Sequence, residues 1–154
     1  MKIVIRHTGR LDAAALEELA VREREIHQEC CFRQWDLPIF AEHGRNYVME
    51  AGGKFVGTAQ VVRDWDDPET VYLAGFGIIE KWRGQGLGAR FLAEMIKLLR
   101  EEGVHGLELT VRPDNEAAIK IYEEAGFKIV DEHREKYGRG EDRLVLRLDM
   151  GDGG

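Results

Sequence analysis

The chain has 154 residues, of which 44% are hydrophobic and 33% charged, and its formal net charge at pH 7 is −7. This length predicts one domain with a sizeable core, and the acidic balance argues against a nucleic-acid partner, which needs a basic face. No apolar run approaches the ~20 residues that span a membrane, and residues 1–10 lack a signal-like apolar region, so we expect a cytoplasmic protein without a membrane partner.

The first third of the chain predicts a strand, one or two helices and a hairpin. Residues 2–6 are β-type, and residues 11–29 carry leucine, alanine and isoleucine near helical spacing with charged residues between them. Pro38 interrupts the next segment, where we expect either a short second helix or a loop. Residues 46–64 predict a hairpin, because two β-type runs flank a Gly-Gly pair that supplies the positive φ angles of a tight turn.

The two cysteines of the chain, Cys30 and Cys31, are adjacent at the end of the first predicted helix. Neighbours in sequence cannot join distant segments through a disulfide, and no C-x-x-C spacing is present. We therefore interpret one or both as buried hydrophobic residues, and we expect no metal site.

The middle of the chain predicts a central strand followed by a long helix. Residues 64–69 form a polar loop, and residues 70–79 are almost entirely apolar, which is typical of a strand buried on both faces. Residues 86–101 repeat apolar residues at helical spacing, and Gly103 is expected to end that helix. The predicted inner face of the helix consists of Leu87, Phe91, Met95, Leu98 and Leu99.

The C-terminal third adds three strands and one helix, with the strands over residues 105–113, 127–137 and 142–150 and the helix over residues 115–126. Asp114 or Asn115 is expected to cap the helix and Gly126 to end it, while residues 151–154 form a flexible tail. The complete order, β-α-(α)-β-β-β-α-β-α-β-β, predicts an α/β domain with a mixed sheet.

Residues 83–89, with the sequence RGQGLGA, place three glycines directly before the long amphipathic helix. Backbone N–H groups at a helix N-terminus attract anions, and glycine lets a ligand approach the backbone closely. The run therefore has the form of a phosphate cradle. Spacing alone also allows a tight strand-to-helix turn, because the run has neither the lysine of a P-loop nor the complete G-x-G-x-x-G pattern.

Two motifs resemble those of the GNAT family of acetyl-CoA-dependent N-acetyltransferases. Arg83, Gly86 and Gly88 fall on the family's R/Q-x-x-G-x-G/A signature. Residues 111–127 are similar to its N-x-x-A-x-x-x-Y-x-x-x-G-F segment, with matches at Asn115, Ala118, Tyr122, Gly126 and Phe127. The resemblance implies one acetyltransferase domain over residues 1–150, with a mixed, mostly antiparallel sheet flanked by helices and splayed central strands.

The resemblance also implies a cosubstrate, acetyl-CoA, and the residues that bind it. The diphosphate would lie on the glycine loop, formed by Arg83, Gly84, Gln85, Gly86, Leu87, Gly88 and Ala89. The pantetheine arm would run beside Phe76, Gly77 and Ile78, whose N–H groups can hold the thioester carbonyl as it gains negative charge. Gly75 and Gly77 would ease a bulge there. Asn115 matches a position that contacts the cofactor, and it is equally suited to cap a helix.

The implied catalytic residues are less complete. Tyr122 matches the position that protonates the departing thiolate, although its spacing also fits a core aromatic residue. A subgroup, the ribosomal-protein N-terminal acetyltransferases, resembles the chain at residues 110–115 and 136–148, but it has a glutamate base where this chain has Thr110. Glu108, on the same strand face, would act through water, or it is an ordinary salt-bridged carboxylate. Tyr137 matches a tyrosine near the subgroup's acceptor site, or it is a surface aromatic.

The leading hypothesis is an N-acetyltransferase in which a neutral primary amine attacks the acetyl thioester directly in a ternary complex. The second hypothesis is a coenzyme A-binding sensor domain without catalysis, which the presence of Tyr122 disfavours. The acceptor stays open among a small-molecule or peptide α-amine, a lysine side chain and a polyamine. An α-amine is favoured, because a site without a carboxylate base suits an amine of lower pKa. A homodimer is a further expectation from the family.

Overall fold

The computed structural model describes residues 1–28 and 31–151. Within these ranges there are seven strands, β1 (Ile3–His7), β2 (Arg45–Ala51), β3 (Lys54–Arg63), β4 (Thr70–Ile78), β5 (Gly106–Val111), β6 (Lys128–His133) and β7 (Arg143–Asp149). The α-helices are α1 (Ala13–His27), α2 (Leu37–His43), α3 (Leu87–Glu101) and α4 (Glu116–Glu124). The strands form one sheet in the order β1-β2-β3-β4-β5-β7-β6.

Antiparallel pairing dominates this sheet. β2 pairs antiparallel with β1 and β3, and β7 pairs antiparallel with β5 and β6. β4 and β5 run parallel, with Thr70 opposite Gly106 and Tyr72 opposite Glu108. In the described chain this parallel register joins only three residues of each strand, as expected of splayed central strands. The predicted α/β class with a mixed, mostly antiparallel sheet is confirmed.

The chain forms two compact units, and the first comprises residues 1–62 and 74–96. Its core packs helices α1 and α2 against β2 and β3 through Leu19, Ala20, Leu37, Val48 and Phe55. Asp12 begins α1, where its side chain accepts a hydrogen bond from the Ala15 N–H. Pro38 lies in the first turn of α2, where a missing N–H is tolerated, so the segment around it is a helix rather than a loop.

The second unit comprises residues 63–73 and 97–154. Its buried residues include Leu107, Leu109, Tyr122, Phe127, Val145 and Leu146. β6 lies at the edge of the sheet, and all six of its residues are exposed. The strand predicted over residues 127–137 is shorter than expected, because residues 134–137 belong to the turn that leads into β7.

Burial corrects two details of the sequence analysis. The buried residues of α3 are Phe91, Leu92, Met95, Ile96 and Leu99, whereas Leu87 and Leu98 are only half-buried. The buried face of the helix therefore differs from the predicted one: it includes Leu92 and Ile96, and it does not fully bury Leu87 or Leu98. Residues 74–77 of β4 are half-buried rather than buried on both faces, and they lie beyond the three residues paired with β5.

Cys31 is a free thiol and only half-buried, so it is not a fully buried member of the pair of which we interpreted one or both as buried. Helix α1 ends at His27, before either cysteine, so Cys31 does not belong to the packed face of the helix. Cys30 and residues 152–154 of the predicted tail lie outside the described residues. None of the helices in the described ranges has the length and apolar character that crossing a membrane requires.

Candidate active site

The glycine loop follows β4 and a single 3-10 turn, Glu80–Trp82, and it leads directly into α3. Gly84 and Gly86 have φ angles of +78° and +77°, which side chains rarely adopt. A Cβ at either position would meet nothing within 4 Å, so the backbone is open to a ligand there. The loop thus presents an accessible backbone at the N-terminus of a 15-residue helix, the arrangement that binds phosphates.

Arg83, the first residue of the loop, connects two elements of the first unit. Its Nε donates to the carbonyl of Ile78 at 2.8 Å, and its Nη2 donates to the carbonyl of Ile26 at 3.2 Å. The end of β4 is thereby held against the C-terminal turn of α1. These two bonds give Arg83 a role in shaping the loop, whichever further contact it makes.

The glycines of β4 are explained by close packing. A Cβ at Gly75 would stand 2.4 Å from Gln60 Oε1, and one at Gly77 would stand 2.2 Å from the Ile26 side chain. Both distances are far below a normal contact, so these strand positions accept only glycine without rearrangement. This close approach is one physical reason for the two glycines, and the bulge in this strand stays a prediction.

Phe76 and Ile78 flank Gly77 on β4. The half-buried Phe76 ring lies 5.4 Å from the ring of Phe91 on α3, and Ile78 is buried next to Gly57. The first unit therefore brings the three residues predicted for the pantetheine arm onto the strand that leads into the glycine loop.

A buried polar cluster, which the sequence analysis missed, lies in the same unit. It consists of Glu23, Asn46, Thr58 and Gln60, all with 0% exposure. Glu23 Oε1 accepts hydrogen bonds from Thr58 Oγ1 and, at 3.0 Å, from Gln60 Nε2. Gln60 Nε2 also lies 2.9 Å from Asn46 Oδ1. A signal existed in the sequence, because Glu23 falls at helical spacing between the apolar residues Leu19 and Ile26.

Tyr122 lies on α4 of the second unit, and Asn115 directly precedes this helix. The Tyr122 side chain is buried with its ring 5.6 Å from that of Phe127, and burial raises the pKa of Tyr122 to about 12. Its phenol is therefore protonated at neutral pH and able to donate a hydrogen bond. Asn115 caps the helix, since its Oδ1 accepts from the Ala118 N–H at 3.2 Å, which decides between Asp114 and Asn115.

Glu108 is held by a basic partner. Its Oε2 lies 3.7 Å from Nη1 of Arg147, and Arg147 also donates to Asp149 at 2.8 Å and to Thr70 at 3.3 Å. Asp149 above all, with a smaller contribution from Glu108, raises the pKa of Arg147. This geometry supports the salt-bridge interpretation of Glu108 over the base.

Tyr72 on β4 is a further polar residue that the sequence analysis missed. Its hydroxyl lies 2.9 Å from Oγ1 of Thr110, and burial raises the Tyr72 pKa, as do neighbouring Tyr137 and Glu108, while the Thr110 bond lowers it. Tyr137 is 60% exposed and packs 5.0 Å from the Arg143 guanidinium. The second unit thus contains Tyr72 and Glu108 together with Thr110 and Tyr137, which belong to the two segments that resemble the subgroup.

Comparison with known proteins agrees with both motifs. The sequence model of the acetyltransferase (GNAT) family matches residues 13–127. The chain belongs to the GNAT family. The predicted family and the predicted class of enzyme, an acetyltransferase, are confirmed. Among the described residues of this GNAT enzyme, no group of His, Cys, Asp and Glu is arranged to hold a metal ion.

Relatives of this GNAT enzyme include N-alpha-acetyltransferase RimI of Mycobacterium tuberculosis, 33% identical over 112 residues that cover 71% of this chain and 69% of that one. The [ribosomal protein bS18]-alanine N-acetyltransferase of Escherichia coli is 33% identical over 133 residues, 80% of this chain and 86% of that one. The crystal structure of the Escherichia coli S18-alanine enzyme superposes with a TM-score of 0.81 at 25% identity, covering 97% and 94% of the two chains. A Bacillus subtilis acetyltransferase solved with CoA shares the fold, with a TM-score of 0.76 at 17% identity and coverage of 96% and 99%.

Proposed function

We propose that this GNAT enzyme acetylates the α-amine of a peptide or protein N-terminus, with acetyl-CoA as the donor substrate. The observation that carries the proposal is the 33% identity, over most of both chains, to enzymes named N-alpha-acetyltransferase and ribosomal-protein-alanine N-acetyltransferase. A free peptide N-terminus is the acceptor most consistent with both names.

The glycine loop fits the donor substrate. Its two left-handed glycines leave the backbone open at the start of α3, and such N–H groups bind a diphosphate without help from a lysine. Arg83 shapes this loop through its bonds to the carbonyls of Ile26 and Ile78. The remaining residues proposed for the diphosphate are Gly84, Gln85, Leu87, Gly88 and Ala89.

Two further segments are proposed for the donor substrate. The backbone of Phe76, Gly77 and Ile78 would lie along the pantetheine arm, and its N–H groups would stabilise negative charge on the thioester carbonyl. Asn115 uses its Oδ1 as a helix cap, so its amide nitrogen is the group proposed to contact coenzyme A.

The protonation of the amine favours an α-amine as acceptor. Only a neutral amine attacks a thioester, and neutralising an α-amine of pKa near 7.8 at pH 7 costs about 1.2 kcal/mol, against about 4.6 kcal/mol for a lysine side chain. Thr110 occupies the position of the subgroup's glutamate, and Glu108 is paired with Arg147. Neither position therefore offers a strong carboxylate base. Such a site suits the α-amine, because its ammonium form loses a proton more easily than that of a lysine side chain.

Tyr122 is proposed as the donor to the departing sulfur. With a pKa of about 12, its phenol keeps its proton at neutral pH. Full transfer to a thiolate of pKa about 8.5 would be uphill by about 4.8 kcal/mol, so the buried phenol stabilises the developing thiolate chiefly as a hydrogen-bond donor. The amine attacks the donor substrate directly, and no acetylated enzyme side chain forms.

An acceptor panel tests the proposal. Thiol release is measured at saturating acetyl-CoA with a peptide that has a free N-terminal alanine, the same peptide with a blocked N-terminus and one lysine, and a polyamine. We expect kcat/KM to be at least about tenfold higher for the free N-terminus, equivalent to about 1.4 kcal/mol. Varying both substrates should give intersecting double-reciprocal lines, as direct transfer requires.

Two outcomes contradict the proposal. A preference for the lysine peptide or the polyamine would reassign the acceptor. Tight acetyl-CoA binding in calorimetry without thiol release from any amine would instead support the sensor hypothesis.

A further inference from the structure

Three buried polar atoms surround the C-terminal end of α1 and make no hydrogen bond within the part of the chain that the structure describes. They are Glu23 Oε2, His27 Nε2 and Gln60 Oε1. Glu23 Oε2 and His27 Nε2 lie 4.0 Å apart, one helical turn from each other on α1. Buried polar groups without partners are destabilising, so their persistence at one place indicates a use beyond packing.

Glu23 is fixed in place from the other side. Thr58 and Gln60 both donate to its Oε1, which leaves Oε2 directed at His27. Because the carboxylate is completely buried, ligand groups cannot reach it without displacing protein atoms. His27 keeps 28% of its side-chain surface exposed, and its Nε2 is buried, so the exposed surface belongs to the rest of the side chain. The imidazole therefore connects a buried carboxylate to an open surface.

The ring of His27 lies against the strand segment proposed for the thioester. A Cβ at Gly77 would stand 3.0 Å from His27 Cε1 and 3.3 Å from Nε2. Gly77 is the middle residue of the segment Phe76, Gly77 and Ile78. The absence of a side chain at residue 77 is what lets the imidazole approach this part of β4.

The charges that act on the imidazole come from Glu23 on α1 and from Arg83 in the glycine loop. Burial lowers the pKa of His27 most, Arg83 lowers it further, and Glu23 opposes both. The ring is consequently neutral near pH 7 and able to accept a proton.

We propose that His27 is the general base that takes the proton from the acceptor amine, and that Glu23 is the positioning residue that fixes its ring. This inference rests on the proposed acetyl transfer. The amine nitrogen forms the C–N bond with its lone pair, and the C–S bond breaks with its electrons remaining on sulfur. The amine proton passes to Nδ1 of His27, and the sulfur gains a proton from a donor group or water, so atoms and charges balance. A carboxylate orienting a base is the general arrangement of acid–base sites.

The test compares three variants by the pH dependence of kcat/KM with the free N-terminal alanine peptide. His27→Gln should lower kcat by about 100-fold or more, the scale of one general base. The ionisation of the peptide amine should still shape its pH profile, but the acid limb that His27 adds should be lost. Glu23→Gln should move that limb to lower pH, because the negative charge it removes raises the His27 pKa. His43→Gln, which changes an exposed histidine of α2, is the matched control and should behave as wild type.

Two readouts separate catalysis from structure. Acetyl-CoA affinity, measured by calorimetry, should stay within about twofold in His27→Gln. NMR of the imidazole in the free protein should give a His27 pKa below 6.5 that falls further in Glu23→Gln. His27→Gln at its half-exposed site decides the base role even where Glu23→Gln does not fold.

If the wild type is active and His27→Gln has the same plateau and the same acid limb, His27 is not the base, while the proposed function stands. A wild-type protein that binds acetyl-CoA and releases no thiol with any amine overturns the proposed function together with the base assignment. An imidazole pKa that does not respond to Glu23→Gln overturns the positioning role of Glu23.

Discussion

Single side chains in this enzyme take their chemistry from their surroundings, and Tyr122 is the clearest case. Burial raises its pKa to about 12, so the phenol stays protonated throughout the neutral range; it is able to donate a hydrogen bond and cannot accept the amine proton. Its ring lies 5.6 Å from the ring of Phe127. The motif singles out the residue, and its burial is compatible with the proposed role as a donor to the departing sulfur, not with a role as base.

Tyr122→Phe should retain this packing and remove only the hydroxyl. We expect kcat to fall on the order of 10- to 1000-fold, with the KM for acetyl-CoA little changed, because the lost interaction forms as the thiolate departs. Steady-state kinetics at saturating peptide measures both constants. Tyr47→Phe, which removes the hydroxyl of a fully buried tyrosine on β2, is the control and should keep kcat. Wild-type turnover in Tyr122→Phe would make Tyr122 a core residue only.

Glu108→Gln should leave the acid limb of kcat/KM in place. The carboxylate is occupied by Arg147 at 3.7 Å, and an ion pair between partly exposed groups contributes no more than about 1 kcal/mol. The change in kcat should therefore stay below about fivefold, checked by pH profiles from 6 to 9. An upward shift of the limb would instead show that Glu108 relays the proton through water.

Among the elements, the continuous segment of β4, glycine loop and α3 carries the proposal for binding of the donor substrate. Gly84 and Gly86 have left-handed backbones in open space, whereas Gly75 and Gly77 are forced by neighbouring side chains. Glycine thus occurs in one segment for two different reasons: an open left-handed backbone in the loop, and a lack of space for a side chain in the strand. Only the open backbone of the loop concerns a ligand, so the loop glycines are the ones to test.

Gly86→Val should lower the affinity for coenzyme A at least tenfold, or about 1.4 kcal/mol, because a β-branched side chain disfavours φ near +77° and covers the backbone N–H groups. Isothermal calorimetry measures the affinity, and thermal unfolding shows that the fold is retained. Gly53→Val provides the matched control, since Gly53 has φ +83° and open space in the β2–β3 turn. Equal affinities of Gly86→Val and wild type would refute the cradle.

Periodicity and turn residues were enough to predict most elements. The sequence placed the α3 helix at residues 86–101, and the structure has Leu87–Glu101, ended by Gly103 with φ +83°. The face of α3 was harder to predict, because Leu87 and Leu98 are as apolar as Leu92 and Ile96, and composition cannot show which of them meets a neighbour.

The polar part of the site was the least predictable from sequence. Glu23 interrupts an apolar face, which is visible in the sequence, but its partners Thr58 and Gln60 lie 35 and 37 residues away. Such pairings depend on strand register, and a one-residue slip would turn both side chains to the opposite face. For the same reason the sequence left two roles open for Glu108, a base acting through water or a salt-bridged carboxylate. The structure shows its ion pair with Arg147.

At the scale of the whole molecule, the net charge of −7 favours a cationic acceptor over an anionic one. A protonated amine is attracted to an acidic protein, and it must then lose its proton before it attacks. The rate therefore depends on the loss of this proton, and the pH dependence of the rate reports on that step.

The rate with a free N-terminal peptide should follow the neutral fraction of its own amine above pH 7. For an amine of pKa 7.8, this fraction rises from about 14% at pH 7 to about 61% at pH 8, so kcat/KM should rise about fourfold and level off near pH 9. An N-terminally blocked lysine peptide should instead gain about tenfold per pH unit up to pH 9, because its amine has a pKa near 10.4. The preference for the α-amine should consequently shrink as the pH rises. Both profiles are measured at saturating acetyl-CoA, with the doubly blocked, lysine-free peptide as the blank. A flat profile between pH 7 and 9 for the free N-terminus would contradict this expectation, since it would require that amine deprotonation does not limit the rate.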